Sequence, residues 1–173
     1  EGNSGESSNG FGYQALKNNT GERSNGFGHA TLTDNTGVQS NGFGYQALNQ
    51  NTGDYSNGFG YRALRNNIAN NNTAFGHEAG FELDSLTGTN NTFLGYNASY
   101  GANTTITNAT AVGANVTLSN SNTVILGNGA DVGIGTTSPD YELEVTGKIY
   151  ASDSIISAVF AGVSDIRLKQ DVE

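Results

Sequence analysis

The N-terminal half of the chain repeats one short motif at a fixed interval. The string Ser-Asn-Gly-Phe-Gly begins at residues 8, 24, 40 and 56. Its phenylalanine recurs every 16 residues, at positions 11, 27, 43, 59 and 75. Self-similarity at a fixed period is the signature of stacked structural repeats, each of which contacts only its neighbours. We therefore expect similar coils piled along one axis.

The repeat becomes less regular beyond Phe75 but does not disappear. An apolar residue directly before a glycine marks each further coil, and these markers are Leu94, Val112 and Leu126. Their spacings are 19, 18 and 14 residues. The markers together predict eight coils within residues 1–128.

Each coil contains a short apolar alternation followed by a turn cluster. In the first coil Phe11, Tyr13 and Ala15 alternate, and Asn-Asn-Thr-Gly follows at 18–21. Alternation at period 2 predicts a strand, and Asn/Gly clusters predict turns. Two strands and two turns per coil indicate an all-β solenoid or β-roll. In such a stack the equivalent side-chain amides would form a hydrogen-bonded ladder, at Asn9, Asn25, Asn41 and Asn57.

The chain is too poor in large apolar residues for a large core of its own. Val, Ile, Leu and Phe make up 36 of its 173 residues, close to the composition below which chains become disordered. We therefore expect identical rolls to associate, with their Phe and Leu rows meeting on a shared axis. One further row, at Tyr13, His29, Tyr45, Tyr61, His77 and Tyr96, lies on the same side as the phenylalanines, which favours packing between copies over stacking on sugar rings.

The coil motif, seen again as Asn-Thr-Ala-Phe-Gly at 72–76, resembles two groups of repeats. These are the left-handed β-roll heads of trimeric autotransporter adhesins and the related repeats of phage tail fibres. The resemblance implies an extracellular homotrimer, on a virion tail fibre or a bacterial surface fibre. It would either attach to a cell-surface glycan or other receptor, or serve as a passive spacer. Longer turns beyond Phe75 offer Phe81 and Tyr100 as candidate contacts.

A second region follows the repeats. We expect residues 129–163 to form a β neck, because Tyr141, Leu143 and Val145 alternate with polar residues. A turn at Thr146-Gly147-Lys148 leads into a second apolar stretch at 149–151. This pattern predicts a β-hairpin.

The last residues carry a second resemblance. Val-Gly-Ile-Gly-Thr-Thr-Ser-Pro at 132–139 and Ser-Asp-Ile-Arg-Leu-Lys at 164–169 resemble the junction before an endosialidase-type intramolecular chaperone, a domain that trimerises fibres and then cuts itself off. The resemblance implies that 164–173 are the first residues of such a domain, whose body is absent from this chain. It also implies cleavage between Val163 and Ser164, with Ser164 as nucleophile and Lys169 as base.

Spacing alone allows a plainer interpretation of the same residues. Ser164 before Asp165, with Lys169 four residues further on, is also an ordinary helix start with an N-cap and an i,i+4 ion pair. Both interpretations remain open at this stage. Any cleavage would occur once per chain, so nothing here predicts a metabolic enzyme or a cofactor.

Composition argues against several other classes of function. A net charge of -9 opposes binding to nucleic acid or to anionic lipid. No apolar run approaches the roughly 18 residues that membrane insertion requires. The chain has no cysteine, and His29 and His77 are three coils apart, too far to share a metal ion. An ice-binding solenoid would need paired threonine rows, whereas Thr20, Thr36 and Thr52 form a single row.

Overall fold

The computed structural model describes residues 2–81, 87–101 and 105–152. Within these residues the structure is all-β, with no helix and with twelve short strands. The strands are β1 (Asn9–Phe11), β2 (Asn25–Phe27), β3 (Asn41–Phe43), β4 (Asn57–Phe59), β5 (Thr73–Phe75), β6 (Thr92–Leu94), β7 (Ser99–Tyr100), β8 (Thr110–Val112), β9 (Thr117–Leu118), β10 (Val124–Leu126), β11 (Val132–Ile134) and β12 (Leu143–Val145).

Eight strands stack into one parallel sheet in the order β1-β2-β3-β4-β5-β6-β8-β10. Equivalent residues pair directly, so that Asn9 lies beside Asn25 and Phe11 beside Phe27. Each strand ends at one of the coil markers of the sequence. The predicted all-β solenoid is therefore confirmed, with eight stacked strands and seven turns between the first and the last.

The prediction of two strands in every coil is wrong for the regular coils. The stretch after each marker, such as 45–50, places alternate residues in the left-handed region, with φ of 54° at Gln46, 52° at Leu48 and 58° at Gln50. Such a backbone is not extended, yet it still bonds between coils, as Leu48 N does to Ala63 O at 2.9 Å. A second strand appears only in the later coils, where β7 pairs with β9.

The core is a narrow column in which leucines alternate with small residues. The interior leucines of the regular coils are Leu16, Leu32, Leu48 and Leu64. The centre of each strand in these coils is glycine, which leaves room for them. In β6 the central residue is the large Phe93. The preceding coil has Gly80 at the position that leucine occupies elsewhere, and a Cβ added there would lie 3.0 Å from Phe93 Cδ2. The expectation that leucines meet other copies is therefore wrong for these four leucines, because they fill the chain's own interior.

Two asparagine ladders run along the stack. The predicted outer ladder is confirmed, since Asn25 Nδ2 donates to Asn41 Oδ1 and Asn41 Nδ2 to Asn57 Oδ1, both at 2.8 Å. A second ladder is completely buried and was not predicted. Its members are Asn19, Asn35, Asn51 and Asn67, and successive amides bond at 2.6 to 2.7 Å.

The region after the repeats forms a separate two-stranded sheet. Here β12 pairs in parallel with β11, placing Val132 beside Leu143 and Ile134 beside Val145. The predicted hairpin is therefore wrong: β12 lies beside an earlier strand, and residues 149–151 form no strand. Bonds from Val132 N to Glu142 O and from Thr146 N to Ile134 O hold this parallel register. The helix start expected at Ser164 lies outside the described residues.

Candidate interaction surface

The phenylalanines that end the first five strands form one continuous row. Their rings stack from coil to coil with centroids 4.4 to 5.9 Å apart and planes within 6° of parallel. The row comprises Phe11, Phe27, Phe43, Phe59 and Phe75. This stacking follows from the exact repeat, because parallel in-register strands place identical side chains one strand spacing apart.

A second aromatic row runs beside the first, two residues further along each coil. It comprises Tyr13, His29, Tyr45, Tyr61, His77 and Tyr96, with successive centroids 4.7 to 5.3 Å apart. The residue between the two rows is always glycine. At Gly44 φ is +135°, and an added Cβ would lie 2.4 Å from Gly60 O. Only glycine therefore lets the chain turn between the rows while neighbouring coils stay in contact.

These two rows, which we call the aromatic face, are open to solvent in the single chain. Phe43 and Tyr45 lie in the middle of the stack and are still 37% and 42% exposed. Their exposure is therefore a property of the face and not of its ends. A contiguous exposed aromatic surface that crosses six coils is typical of a protein interaction site.

The stacking decides which partners the aromatic face can accept. Sugars bind aromatic side chains by lying on the face of a ring. In both rows the ring faces are covered by the neighbouring rings, with planes only 6° apart between Phe27 and Phe43 and 12° apart between Tyr45 and Tyr61. What remains accessible is a corrugated wall of ring edges, which suits packing against another protein surface.

The two residues proposed from sequence as receptor contacts have different positions. The Tyr100 side chain is only 4% exposed and its ring packs 4.8 Å from that of Phe93. Asn91 Nδ2 donates a bond of 2.6 Å to its hydroxyl. Tyr100 therefore belongs to the core. Phe81 is half-buried at the surface, beside Arg62 and Arg65.

Other candidate chemistry is limited in the part of the chain that the structure describes. Ser164 and Lys169 lie outside these residues. Among the described residues, no three His, Cys, Asp or Glu side chains are close enough to hold a metal ion, and no helix could cross a membrane. Comparisons with protein-family models, curated proteins and solved structures gave no match. The function is therefore argued from these residues themselves.

Proposed function

We propose that this chain is a structural and adhesive segment of an extracellular homotrimeric fibre that attaches to a host or prey cell surface. In this proposal the solenoid is a left-handed β-roll, and three copies run side by side along the fibre. The observation that carries the proposal is the aromatic face. It gives each chain a long apolar flank that a lone molecule would leave in water.

The spacing of the aromatic rings favours another copy of the same chain as the partner. The rings recur once per coil at 4.4 to 5.9 Å, so a partner must have the same period to contact all of them. A second copy of the chain has the same period because its coils are identical. Rotation about an axis parallel to the solenoid keeps every coil level with its equivalents, as closed cyclic assemblies require. The number three comes from the resemblance to trimeric adhesin heads and tail fibres.

The expected energy of this contact is large enough for stable association. Covering about 60 Å² of each ring at about 25 cal/mol/Å² contributes about 1.5 kcal/mol per ring. The aromatic face has eleven such rings. The resulting total, about 16 kcal/mol, is comparable to the upper end of the cost of association, about 4 to 15 kcal/mol.

A passive spacer is the second candidate, and the regularity of the first coils favours it. The four regular coils repeat Asn-Gly-Phe-Gly at the same place in each coil, which suits a rod more than a specific receptor site. The irregular coils beyond Phe75 favour adhesion, because β5 and β6 are joined by a longer connection that adds surface. Both candidates use the same trimer and differ only in whether the outer surface binds.

An adhesion measurement separates the two candidates. The full chain, fluorescently labelled, is applied to a panel of immobilised bacterial and animal glycans, and its mass is determined in the same buffer by light scattering. Saturable retention of a trimer on a subset of glycans supports the adhesive role. A trimer that no glycan or target cell retains is a spacer. A monodisperse monomer at micromolar concentration contradicts both.

We also propose that the fibre is matured by one cleavage between Val163 and Ser164. The Ser164 hydroxyl would attack the carbonyl carbon of Val163 while Lys169 accepts its proton. The C–N bond between Val163 and Ser164 would break as the Ser164 nitrogen takes up a proton, and water would then hydrolyse the resulting ester to leave a chain ending at Val163. Support comes only from the resemblance of residues 164–169 to the chaperone junction. The reaction requires Lys169 to be uncharged, which burial against the remainder of such a domain would favour.

A further inference from the structure

Because the repeat is 16 residues long, two arginine side chains contact side chains of the next coil. Arg62 lies one coil before Glu78, and its Nη1 is 3.4 Å from Glu78 Oε1. Arg65 lies one coil before Phe81, and its guanidinium carbon is 5.8 Å from the centre of that ring. The Arg62 guanidinium carbon is 5.9 Å from the same ring centre. Both cations therefore converge on Phe81.

The two arginines differ in the hydrogen-bond and ion-pair partners of their guanidinium groups. Arg62 bonds to the Gln46 side chain as well as to Glu78. Arg65 has no carboxylate partner among the described residues, and its buried Nε has no hydrogen-bond acceptor. The next side chain, Asn66, likewise has a buried Oδ1 without a donor. A buried donor without an acceptor is unfavourable, so Arg65 is held less firmly than Arg62. A ligand would reach the terminal Nη groups of Arg65 and not its buried Nε.

The charge of this cluster is opposite to that of the chain. The chain carries seven basic and sixteen acidic residues, yet two cations and one carboxylate meet at Phe81. Among the described residues of this cluster, one positive charge is therefore left over beside an aromatic ring. The guanidinium fork matches a carboxylate by paired N–H donors, and a ring beneath it fixes its plane.

We propose that Arg65, Arg62 and Phe81 form a binding site for the carboxylate of an acidic sugar, such as a sialic or uronic acid. The inference rests on the proposed adhesive role and names the ligand class for it. Arg65 supplies the paired donors, because Glu78 already engages Arg62. Phe81 lies against the guanidinium and holds its plane. The site lies where the regular coils end.

The test follows the arginine Nε–Hε signals of the full-length, isotope-labelled chain by NMR. The chain is titrated with N-acetylneuraminic acid and with glucuronic acid, and separately with the sialic acid methyl ester and with inorganic phosphate. The expected result is a saturable shift of the Arg65 signal with an acidic sugar, while the Arg23 signal stays in place. Arg65→Lys, which keeps the charge but not the fork, should weaken binding at least fivefold, and Arg23→Lys should leave it unchanged.

Several results would overturn the site. These are no saturable shift at Arg65, an equal response to the uncharged methyl ester, or equally tight binding of phosphate. Glu82 and Asp84 follow Phe81 in the sequence and lie outside the described residues. Binding seen only in the Glu82→Gln/Asp84→Asn variant would show that the chain's own carboxylates occupy Arg65. A trimer without an Arg65 response defeats this inference alone. A monomer with an Arg65 response defeats the proposed trimeric fibre and leaves the binding site standing.

Discussion

Asn51 donates a side-chain hydrogen bond of 2.7 Å to Oδ1 of Asn35, its equivalent one coil earlier, and both side chains are completely buried. The same amide donates to Gly53 O at 2.8 Å, and the Asn51 Oδ1 accepts from Asn67. Each asparagine of the ladder therefore bonds to a carbonyl group of its own turn and to the asparagines of both neighbouring coils. This ladder locks the coil register in a chain with little apolar core.

Replacing Asn51 by alanine should lower the free energy of unfolding by about 3 kcal/mol, because it leaves buried donors and acceptors on both neighbouring rungs without partners. Urea denaturation at fixed protein concentration measures the change. The control is Asn18→Ala, since Asn18 makes a similar bond to Asp34 on the exposed surface. A loss of the same size in both variants would show that the buried ladder has no special role.

The glycine between the aromatic rows should tolerate no side chain. In Gly44→Ala the new methyl would lie 2.4 Å from Gly60 O at a φ of +135°, so we expect a loss of more than about 3 kcal/mol or failure to fold. Gly26 is the matched control, because its added methyl would meet nothing closer than 3.4 Å. Gly26→Ala should change the free energy of unfolding by less than about 0.5 kcal/mol. Similar denaturation midpoints for the two variants would contradict this packing.

The left-handed residues offer a way to stabilise the chain. Gln39 has φ of 53°, and the equivalent residues in the coils after Tyr55 are Asn71, Asn90, Asn108 and Asn122, all left-handed. Asparagine adopts this region more readily than glutamine, so Gln39→Asn should raise the free energy of unfolding by about 0.5 to 1 kcal/mol. Thr36→Asn, at an exposed residue outside the left-handed region, should give no gain in the same urea experiment. Equal gains in both variants would mean that backbone strain is not the cause.

Sequence periodicity predicted the parts of the fold that depend on exact repetition. Each of the eight strands in the stacked sheet ends at a predicted marker, and the outer ladder through Asn25 and Asn41 follows directly from stacking identical residues. The buried ladder was missed because Asn-Thr-Gly was interpreted only as a turn. Its asparagine at 16-residue spacing, repeated as strictly as the phenylalanine, is the signal that could have revealed it.

Other features depend on geometry that periodicity alone does not contain. A period-2 pattern continued from Phe11 to Ala15 predicts a longer strand, but the backbone turns at Gly12, where φ is +127°. The leucine that follows then points inward while the phenylalanine points outward. The Arg65–Phe81 contact could have been predicted, because the two residues are 16 apart. The predicted hairpin was wrong because an alternating pattern indicates a strand but does not indicate which strand it pairs with.

Self-cleavage makes a prediction that is independent of the aromatic face. In the chain extended by the rest of the chaperone domain that the resemblance implies, we expect mass spectrometry to find a product ending at Val163. Ser164→Ala should remain uncut because the nucleophile is lost, whereas Ser157→Ala should be cut like the wild type. Cleavage of the Ser164→Ala variant, or none in the wild type, would leave Ser164 as a simple N-cap.

The aromatic face is tested by sedimentation equilibrium of the full chain, wild type beside Phe43→Glu and Tyr55→Glu. Phe43 lies within the face, whereas Tyr55 is equally a large exposed aromatic but belongs to neither row. We expect the wild type and Tyr55→Glu to sediment at three times the 17.9 kDa chain mass. Phe43→Glu should dissociate, because the assembly would bury three carboxylates at one level. A wild-type monomer at micromolar concentration, or a Phe43→Glu trimer as stable as the wild type, would contradict assembly through this face.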